Sequence, residues 1–344
     1  MTDVSSPTIT RHGLFQIMQA YKRTSLLRTG VELGVFNRLA TGPSGAAEVA
    51  DALGLDPRGT RILLNALAAI HLVECDGSCY WLAPGADRLL AAGGAEFVGD
   101  MVRVFASDWE WDALKNLGEA VRRGGTVQAE HAETPEYEYW EDFAAHVPVV
   151  AEPTANVLTD ILEPWATPRP ELKVLDVACG HGVYGFSVAR RFARAHVTSL
   201  DWENVLAVAA SHAERFGVAA RTDSIAGDMF EVPLGGPYDL ALVTNVLHHF
   251  SEERATALLT RVASVVEPGG RIGLVGFTTD DALPGDDPAP HLFSVLMLAW
   301  TFEGEVHSAE CYRRMLAASG FGEPVSRTVP GLPYRVLVAE RVSR

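Results

Sequence analysis

Two adjacent histidines, His248 and His249, follow the apolar segment YDLALVTNV and precede Ser251 and two glutamates. An apolar segment of this kind is typical of a buried strand, and a serine followed by glutamates is typical of a helix start. Open α/β sheets hold their chemistry in loops at the carboxyl ends of strands. A histidine in such a loop is suited to proton transfer, because its ordinary pKa is close to neutrality. Whether either histidine takes part in chemistry depends on what the preceding residues hold in place.

A glycine-rich stretch upstream predicts a nucleotide-type site. Residues 180–185, GHGVYG, form a GxGxxG pattern between a predicted strand and a predicted helix, and Asp201 ends the next predicted strand. Glycines let the backbone approach a ligand closely, and the carboxylate accepts bonds from ribose hydroxyls. Asp176 would repel a pyrophosphate but suits a cationic amino group, and Asp228 is placed to bond an adenine amino group. An adenosine-containing cofactor other than a dinucleotide is expected.

These residues lie on alternating strands and helices that begin at Leu172. The strand-like segments are KVLDVA, HVTSLD, DSIAGD, YDLALVTNV, GGRIGLVGF and YRVLVAER, with helix-like segments between most of them. Such alternation predicts a mostly parallel sheet covered by helices on both faces. The Pro-rich segment 163–171 is interpreted as a boundary between domains 1–165 and 166–344.

The first domain is predicted to be mainly helical. Helices are expected in 11–40, 46–53, 57–71 and 95–165, and two short strands flank the turn Asp76-Gly77. Helix, turn, helix and hairpin together indicate a winged helix. Many winged helices bind DNA, but a net charge of −16 argues against nucleic acid, which requires a basic face. Packing or dimerisation is the favoured role.

Composition limits the remaining classes. The 344 residues are 48% hydrophobic but contain no uninterrupted apolar stretch long enough for a membrane span, and the first residues show no apolar signal segment. A cytoplasmic protein without membrane partners is therefore expected. The four cysteines lack zinc-site spacing and are interpreted as reduced thiols.

The motifs together resemble a known family. Asp176, Gly180, Gly182, Asp201, Asp228, His248 and the turn 268–270 (PGG) have the order and spacing of S-adenosylmethionine-dependent methyltransferases. More narrowly, the chain is similar to plant and bacterial natural-product O-methyltransferases with a winged-helix dimerisation domain. This resemblance implies a Rossmann-like class I domain with a seven-stranded sheet, S-adenosyl-L-methionine as cofactor, a small aromatic substrate and a homodimer. One departure is Ala178, where the family often has glycine.

The resemblance also implies roles for individual residues. The cofactor-binding set is Asp176, Gly180, Gly182, Asp201, Trp202, Asp228, Met229 and Asn245. His248 takes the general-base position, and His249 stands where an aspartate is frequent. In the plant enzymes two glutamates orient the histidine. Gly276 matches the first of these positions here, and the second falls near Val306, with Glu305 beside it, so that the first glutamate is missing and the second is displaced or absent. Carbon methylation of an electron-rich ring or a 2-oxo acid therefore stays open, as does, more remotely, a ligand-sensing regulator.

A substrate pocket is expected around one face of a late helix. Phe293, Met297 and Trp300 share that face at helical spacing. The other pocket candidates are Tyr139, Trp140, Phe143, His249 and His291. Plain core packing is the alternative for each aromatic residue. The three histidines His248, His249 and His291 have no sequence-defined ligand geometry, and no metal is predicted.

Overall fold

The computed structural model describes residues 8–279 and 282–342. The chain forms two compact units, Met1–Ser107 and Asp108–Arg344. The units therefore divide earlier than the domain boundary predicted after residue 165. None of the helices in the described ranges combines the length and the apolar content needed to span a membrane.

The first unit contains the predicted helices and hairpin. Its elements are α1 (Arg11–Met18), α2 (Ala20–Glu32), α3 (Val35–Ala40), α4 (Ala46–Leu53), α5 (Pro57–Ala69), β1 (Val73–Cys75), β2 (Tyr80–Leu82), α6 (Ala86–Leu90) and α7 (Val102–Phe105). The turn between β1 and β2 forms because Asp76 Oδ1 accepts bonds from the backbone N–H groups of Ser78 and Cys79, which lower the pKa of Asp76 to about 2. The predicted helix–turn–helix and hairpin are confirmed, and the winged-helix assignment stays a prediction.

The second unit carries the alternating strands and helices. Its elements are α8 (Asp108–Lys115), α9 (Leu117–Arg123), α10 (Tyr139–His146), α11 (Pro148–Ala166), β3 (Leu172–Val177), α12 (Val183–Arg191), β4 (Ala195–Asp201), α13 (Glu203–Arg215), β5 (Thr222–Ala226), β6 (Tyr238–Thr244), α14 (Glu252–Ala263), β7 (Val266–Gly276), α15 (Pro288–Trp300), α16 (Ala309–Ala318), β8 (Val325–Thr328) and β9 (Arg335–Glu340).

The sheet of this unit has seven strands in the order β5-β4-β3-β6-β7-β9-β8. The strands from β5 to β7 are parallel, and β9 pairs antiparallel with both β7 and β8. This arrangement confirms the predicted fold class. Strand β3 has β4 on one side and β6 on the other, so the strand order reverses beside β3. In such sheets ligands bind at this reversal, outside the carboxyl ends of the strands.

The Pro-rich segment does not separate two compact units. Pro164 lies inside the last turn of α11, and the helix continues to Ala166. Leu158 and Leu162 of α11 are fully buried in the same apolar cluster as Val174 of β3. Helix α11 therefore belongs to the unit that contains the sheet, because its apolar face packs against it.

Candidate active site

The glycine loop lies between β3 and α12 at the reversal of strand order. Gly180 and Gly182 have φ of 54° and 72°, and a Cβ at Gly182 would lie 2.2 Å from the Phe186 ring. Glycine is therefore required at position 182 by both conformation and space. Ala178, which departs from the family pattern, has a φ of 51°. An alanine in the left-handed conformation costs about 1–2 kcal/mol, so Ala178 lowers the stability of the loop relative to glycine.

Asp201, at the end of β4, fixes this loop. One carboxylate oxygen accepts the Gly180 N–H at 2.8 Å, and the other accepts the Trp202 N–H at 2.8 Å. Burial raises the pKa of Asp201 to about 6, although these backbone bonds favour the charged form. Each oxygen keeps a further lone pair, so the carboxylate is able to accept hydroxyl groups of a ligand.

Asp176 is the next-to-last residue of β3, just before the loop, and is fully buried. Its Oδ2 accepts the Gly185 N–H at 3.0 Å, whereas its Oδ1 has no hydrogen-bond partner among the described residues. Burial raises the pKa of this carboxyl well above its usual range. A buried acceptor without a partner is costly and is typical of a site that a ligand donor completes.

The turn after β5 carries Asp228 and Met229. Gly227 N–H donates to the Asp201 carbonyl at 2.9 Å, which holds this turn against the end of β4. Asp228 Oδ1 accepts the Phe230 N–H at 2.8 Å, and Met229 is half-buried. The ends of β4 and β5 thus bring Asp201 and Asp228 to the same edge of the sheet.

Asn245 turns the chain after β6 with a φ of 52°. Its Nδ2 donates to the Tyr184 hydroxyl at 3.1 Å, and its buried Oδ1 has no partner among the described residues. Asparagine tolerates this left-handed conformation better than most residues. Tyr184 was not singled out from the sequence, although it lies inside the glycine motif.

The two histidines lie in a short 3₁₀ turn, Leu247–His249, immediately beyond Asn245. His248 is 3% exposed, and its ring lies 4.9 Å from the Phe293 ring and 4.7 Å from the His249 ring. Burial, with smaller contributions from His249 and His307, lowers the pKa of His248 well below its usual range. Burial also lowers the pKa of His249 to about 4. Both imidazoles are therefore neutral at physiological pH, and a neutral imidazole is able to accept a proton.

The predicted pocket residues fall into two groups. Tyr139, Trp140, Phe143, His249 and Trp300 are linked by ring contacts of 4.4–6.4 Å. The Phe293 ring instead contacts the rings of His248 and Phe277, and Met297 is fully buried in α15. His291 is half-buried. Within residues 8–279 and 282–342, the rings that contact His248 are those of His249, Phe277 and Phe293, and His291 is not among them. In the described ranges, no group of three or more His, Cys, Asp or Glu side chains is arranged to hold a metal.

Glu110 is a buried acid of the aromatic group that the sequence analysis did not assign to the site. It is 9% exposed and accepts the Tyr139 hydroxyl at 3.1 Å, and Tyr139 lies 4.4 Å from Trp300. Burial raises the pKa of Glu110 from its ordinary 4.5 to about 7. The segment SDWEWDAL, which contains Glu110, is dense in aromatic and acidic residues, and this composition could have indicated a functional segment. It did not reveal which acid is buried.

The raised pKa of Glu110 predicts a pH-dependent stability. Between pH 4.5 and about 7 the folded state keeps a proton that the unfolded state releases, so stability falls as pH rises through this window. Across this window the free energy of unfolding is expected to fall by at most about 3 kcal/mol in the unaltered protein. We expect Glu110→Gln to abolish this fall, because glutamine keeps an acceptor for Tyr139 without a charge. Urea unfolding at pH 5 and pH 8 checks this result, with the exposed Glu138→Gln as control. An unchanged pH dependence in Glu110→Gln would contradict it.

Comparison with known proteins agrees with this geometry. Residues 155–322 match the model of an O-methyltransferase domain, and residues 15–92 match that of an O-methyltransferase dimerisation domain. A mouse acetylserotonin O-methyltransferase is 27% identical over 95% of this chain and 88% of its own length. A 3-hydroxy-5-methyl-1-naphthoate 3-O-methyltransferase from Streptomyces sahachiroi is 26% identical over 88% of this chain and 86% of its own length.

Solved structures extend the likeness to the fold of nearly the whole chain. A putative O-methyltransferase from Nostoc punctiforme has a TM-score of 0.89 at 28% identity and covers 97% of this chain and 100% of its own. Human N-acetylserotonin methyltransferase, solved in complex with SAM, has a TM-score of 0.81 at 22% identity, covering 98% of this chain and 99% of its own. With a methyltransferase-type sheet, a catalytic domain and a dimerisation domain all matched, the chain belongs to the O-methyltransferase family and is a methyltransferase enzyme.

Proposed function

We propose that this enzyme transfers a methyl group from S-adenosyl-L-methionine to a hydroxyl of a small aromatic natural-product intermediate, with His248 as general base. The observation that carries the proposal is the turn after β6. This turn joins Asn245, whose buried Oδ1 has no described partner, to His248, whose ring is walled by aromatic rings. A cofactor residue and a neutral base thus follow the same strand.

The polar groups at the strand ends fit the cofactor. Asp176 would bind the amino group, because its buried Oδ1 requires a donor. Asp201 and Asp228 would bind the ribose and the adenine, with Met229 and Trp202 beside them, and Gly180 and Gly182 would lie along the methionine part. When bound, the cofactor supplies a methyl group on a sulfonium centre. The protein holds the accepting oxygen in line with that methyl group and excludes water.

The aromatic groups are proposed as the substrate pocket. Phe293 and Phe277 flank His248, and Trp140 contacts His249. Tyr139, Phe143, Met297 and Trp300 complete this wall, with His291 nearer the start of α15. Flat apolar walls favour an aromatic ring. The naphthoate and acetylserotonin methyltransferases among the relatives have names that describe aromatic substrates.

Methyl transfer with a labelled cofactor tests the proposal. The enzyme is incubated with S-adenosyl-L-methionine labelled with ¹³C in the methyl group and a panel of phenols and 2-oxo acids. The product is then read by carbon NMR, which separates O-methyl from C-methyl groups. We expect label on phenolic oxygen. Label only on carbon would replace the proposal with a C-methyltransferase.

A homodimer is proposed through the first unit, where the dimerisation-domain match lies. None of the α1 residues is buried, and its apolar side chains Phe15, Ile17 and Met18 are 53%, 73% and 64% exposed. Contiguous exposed apolar side chains of this kind indicate an interaction surface. A second copy of the chain is the partner that the matched dimerisation domain supports.

Sedimentation at micromolar concentration tests the dimer. We expect a dimer for the unaltered chain and a monomer for Phe15→Asp combined with Ile17→Asp, because a buried charge without a partner is strongly unfavourable. Val325→Asp, at an exposed position of β8, serves as the control and should stay dimeric. A monomeric unaltered chain would overturn this proposal.

A further inference from the structure

The surroundings of His248 restrict which hydroxyl it is able to deprotonate. We infer that the reacting hydroxyl of the substrate is an acidic one, carried by an aromatic ring conjugated to a carbonyl group or by the enol of a 1,3-dicarbonyl. The inference rests on the proposed function, O-methyl transfer at His248, and names the substrate class of that site.

The first observation is that apolar rings enclose His248. Phe293 of α15 lies 4.9 Å and Phe277, after β7, lies 6.3 Å from the His248 ring, and these two phenylalanines stack at 4.3 Å. Tyr334 packs on Phe277 at 4.8 Å. The imidazole is 3% exposed. Water is thus largely excluded from a group that would have to become a cation.

The second observation is that no described carboxylate supports the imidazole. Within 8–279 and 282–342, His248 Nδ1 is buried without a hydrogen-bond partner. At Gly276, the space for a side chain is limited by the Tyr312 hydroxyl, 3.2 Å from where a Cβ would lie. Val306 is apolar and buried. The positions where a glutamate could have stabilised the imidazolium therefore carry none.

The third observation is that the titratable neighbours of His248 are bases. His249 lies in the same turn, and His307 lies just before α16, with its Nε2 bonded to the Phe250 carbonyl at 3.0 Å. Both lower the pKa of His248, in addition to burial. The rings from β7 and α15 are uncharged. Protonated His248 would therefore be a buried cation beside two imidazoles that carry no negative charge to stabilise it.

The reaction moves one positive charge into these surroundings. The hydroxyl oxygen forms a bond to the methyl carbon, the carbon–sulfur bond breaks with its electron pair on sulfur, and the hydroxyl proton goes to His248. The charge thus passes from sulfonium to imidazolium. Because the imidazolium is poorly stabilised, transfer is efficient only when the hydroxyl gives up its proton readily, which is the case for a carbonyl-conjugated phenol or an enol.

A matched pair of phenols tests the inference. The probes are 6-hydroxy-2-naphthaldehyde and 6-hydroxy-2-naphthalenemethanol, which have the same ring system but differ in the acidity of the hydroxyl. We expect kcat/KM at pH 7 to be at least about tenfold higher for the aldehyde, since proton transfer to a weak base depends steeply on acidity. Equal values, or a preference for the alcohol, would overturn the inference while leaving O-methylation intact. Methyl groups found only on carbon would overturn the proposed function itself.

Variants at His307 provide a second test. His307→Glu and His307→Gln both remove the imidazole, but only glutamate adds a negative charge that stabilises protonated His248. We expect the aldehyde-to-alcohol ratio of kcat/KM to be several-fold smaller in His307→Glu than in His307→Gln. The ratio is internal to each protein, so a partial loss of folded enzyme does not affect it. An equal ratio in the two variants would contradict the inference.

Asp280 and Asp281, which lie outside the described residues, follow Phe277 closely in the chain and carry carboxylates. A combined Asp280→Asn and Asp281→Asn protein checks whether either of them supplies the missing charge. We expect its aldehyde-to-alcohol ratio to equal that of the unaltered enzyme. A clear rise in this ratio would show that a carboxylate already supports His248, and the inference would fail.

Discussion

Replacing His248 by alanine is expected to lower kcat by about 10²–10⁴-fold, the usual contribution of a positioned proton acceptor. Cofactor affinity should stay nearly unchanged, because Asp176, Asp201 and Asp228 keep their places at the strand ends. Steady-state kinetics at saturating S-adenosyl-L-methionine, together with calorimetric binding of S-adenosylhomocysteine, separate the two effects.

His249→Ala is the matched control, because it removes the same side chain from the next position. The His249 ring contacts Trp140 at 5.4 Å, whereas Phe277 contacts the His248 ring. We expect a much smaller loss of kcat than for His248→Ala. If His248→Ala kept most of its rate, alignment and desolvation alone would carry catalysis, and the base assignment would be wrong.

Asp201→Ala is expected to weaken cofactor binding by about 1–3 kcal/mol, or roughly 5- to 150-fold, with little change in kcat at saturation. Two losses combine in this variant. The ribose hydroxyls would lose the acceptor proposed for them, and the backbone N–H groups of Gly180 and Trp202 lose theirs. Calorimetry with S-adenosylhomocysteine measures the change.

The pH dependence of binding gives Asp201 an independent test. Burial raises its pKa to about 6, so the carboxyl becomes protonated as the pH falls through that value. A protonated carboxyl is a poorer acceptor, and we expect affinity to fall below pH 6 in the unaltered enzyme. Asp201→Asn should bind more weakly at pH 8 and lose this dependence. An unchanged pH dependence in Asp201→Asn would assign it to another group.

The sheet, and the positions of the residues proposed to bind the cofactor, were predictable because their signals are local. The strands β3, β4 and β6 are short segments with apolar side chains at buried positions. Asp176, Asp201 and Asn245 lie at or just beyond the ends of these strands, where parallel topology brings side chains together. The glycines at 180 and 182 adopt a left-handed backbone conformation, which glycine in the sequence indicates directly.

Features that depend on packing were not predictable. The edge strand β8, VSRT, is exposed along its whole length and lacks the alternating pattern of a strand. The division of the chain at Ser107 has no local sequence signal, whereas the prolines in 163–171 look like a linker although α11 packs on the sheet. The bond between Glu110 and Tyr139 joins residues on separate helices, and no local pattern indicates it.

Calorimetry with S-adenosylhomocysteine and with NAD tests most directly whether the glycine loop and its three aspartates form a methyltransferase cofactor site. The unpartnered carboxylate oxygen of Asp176 favours a ligand amino group and disfavours a pyrophosphate. We expect S-adenosylhomocysteine to bind and NAD to show no heat of binding under the same conditions. Tight binding of NAD without binding of S-adenosylhomocysteine would contradict the proposed cofactor and the chemistry inferred from it.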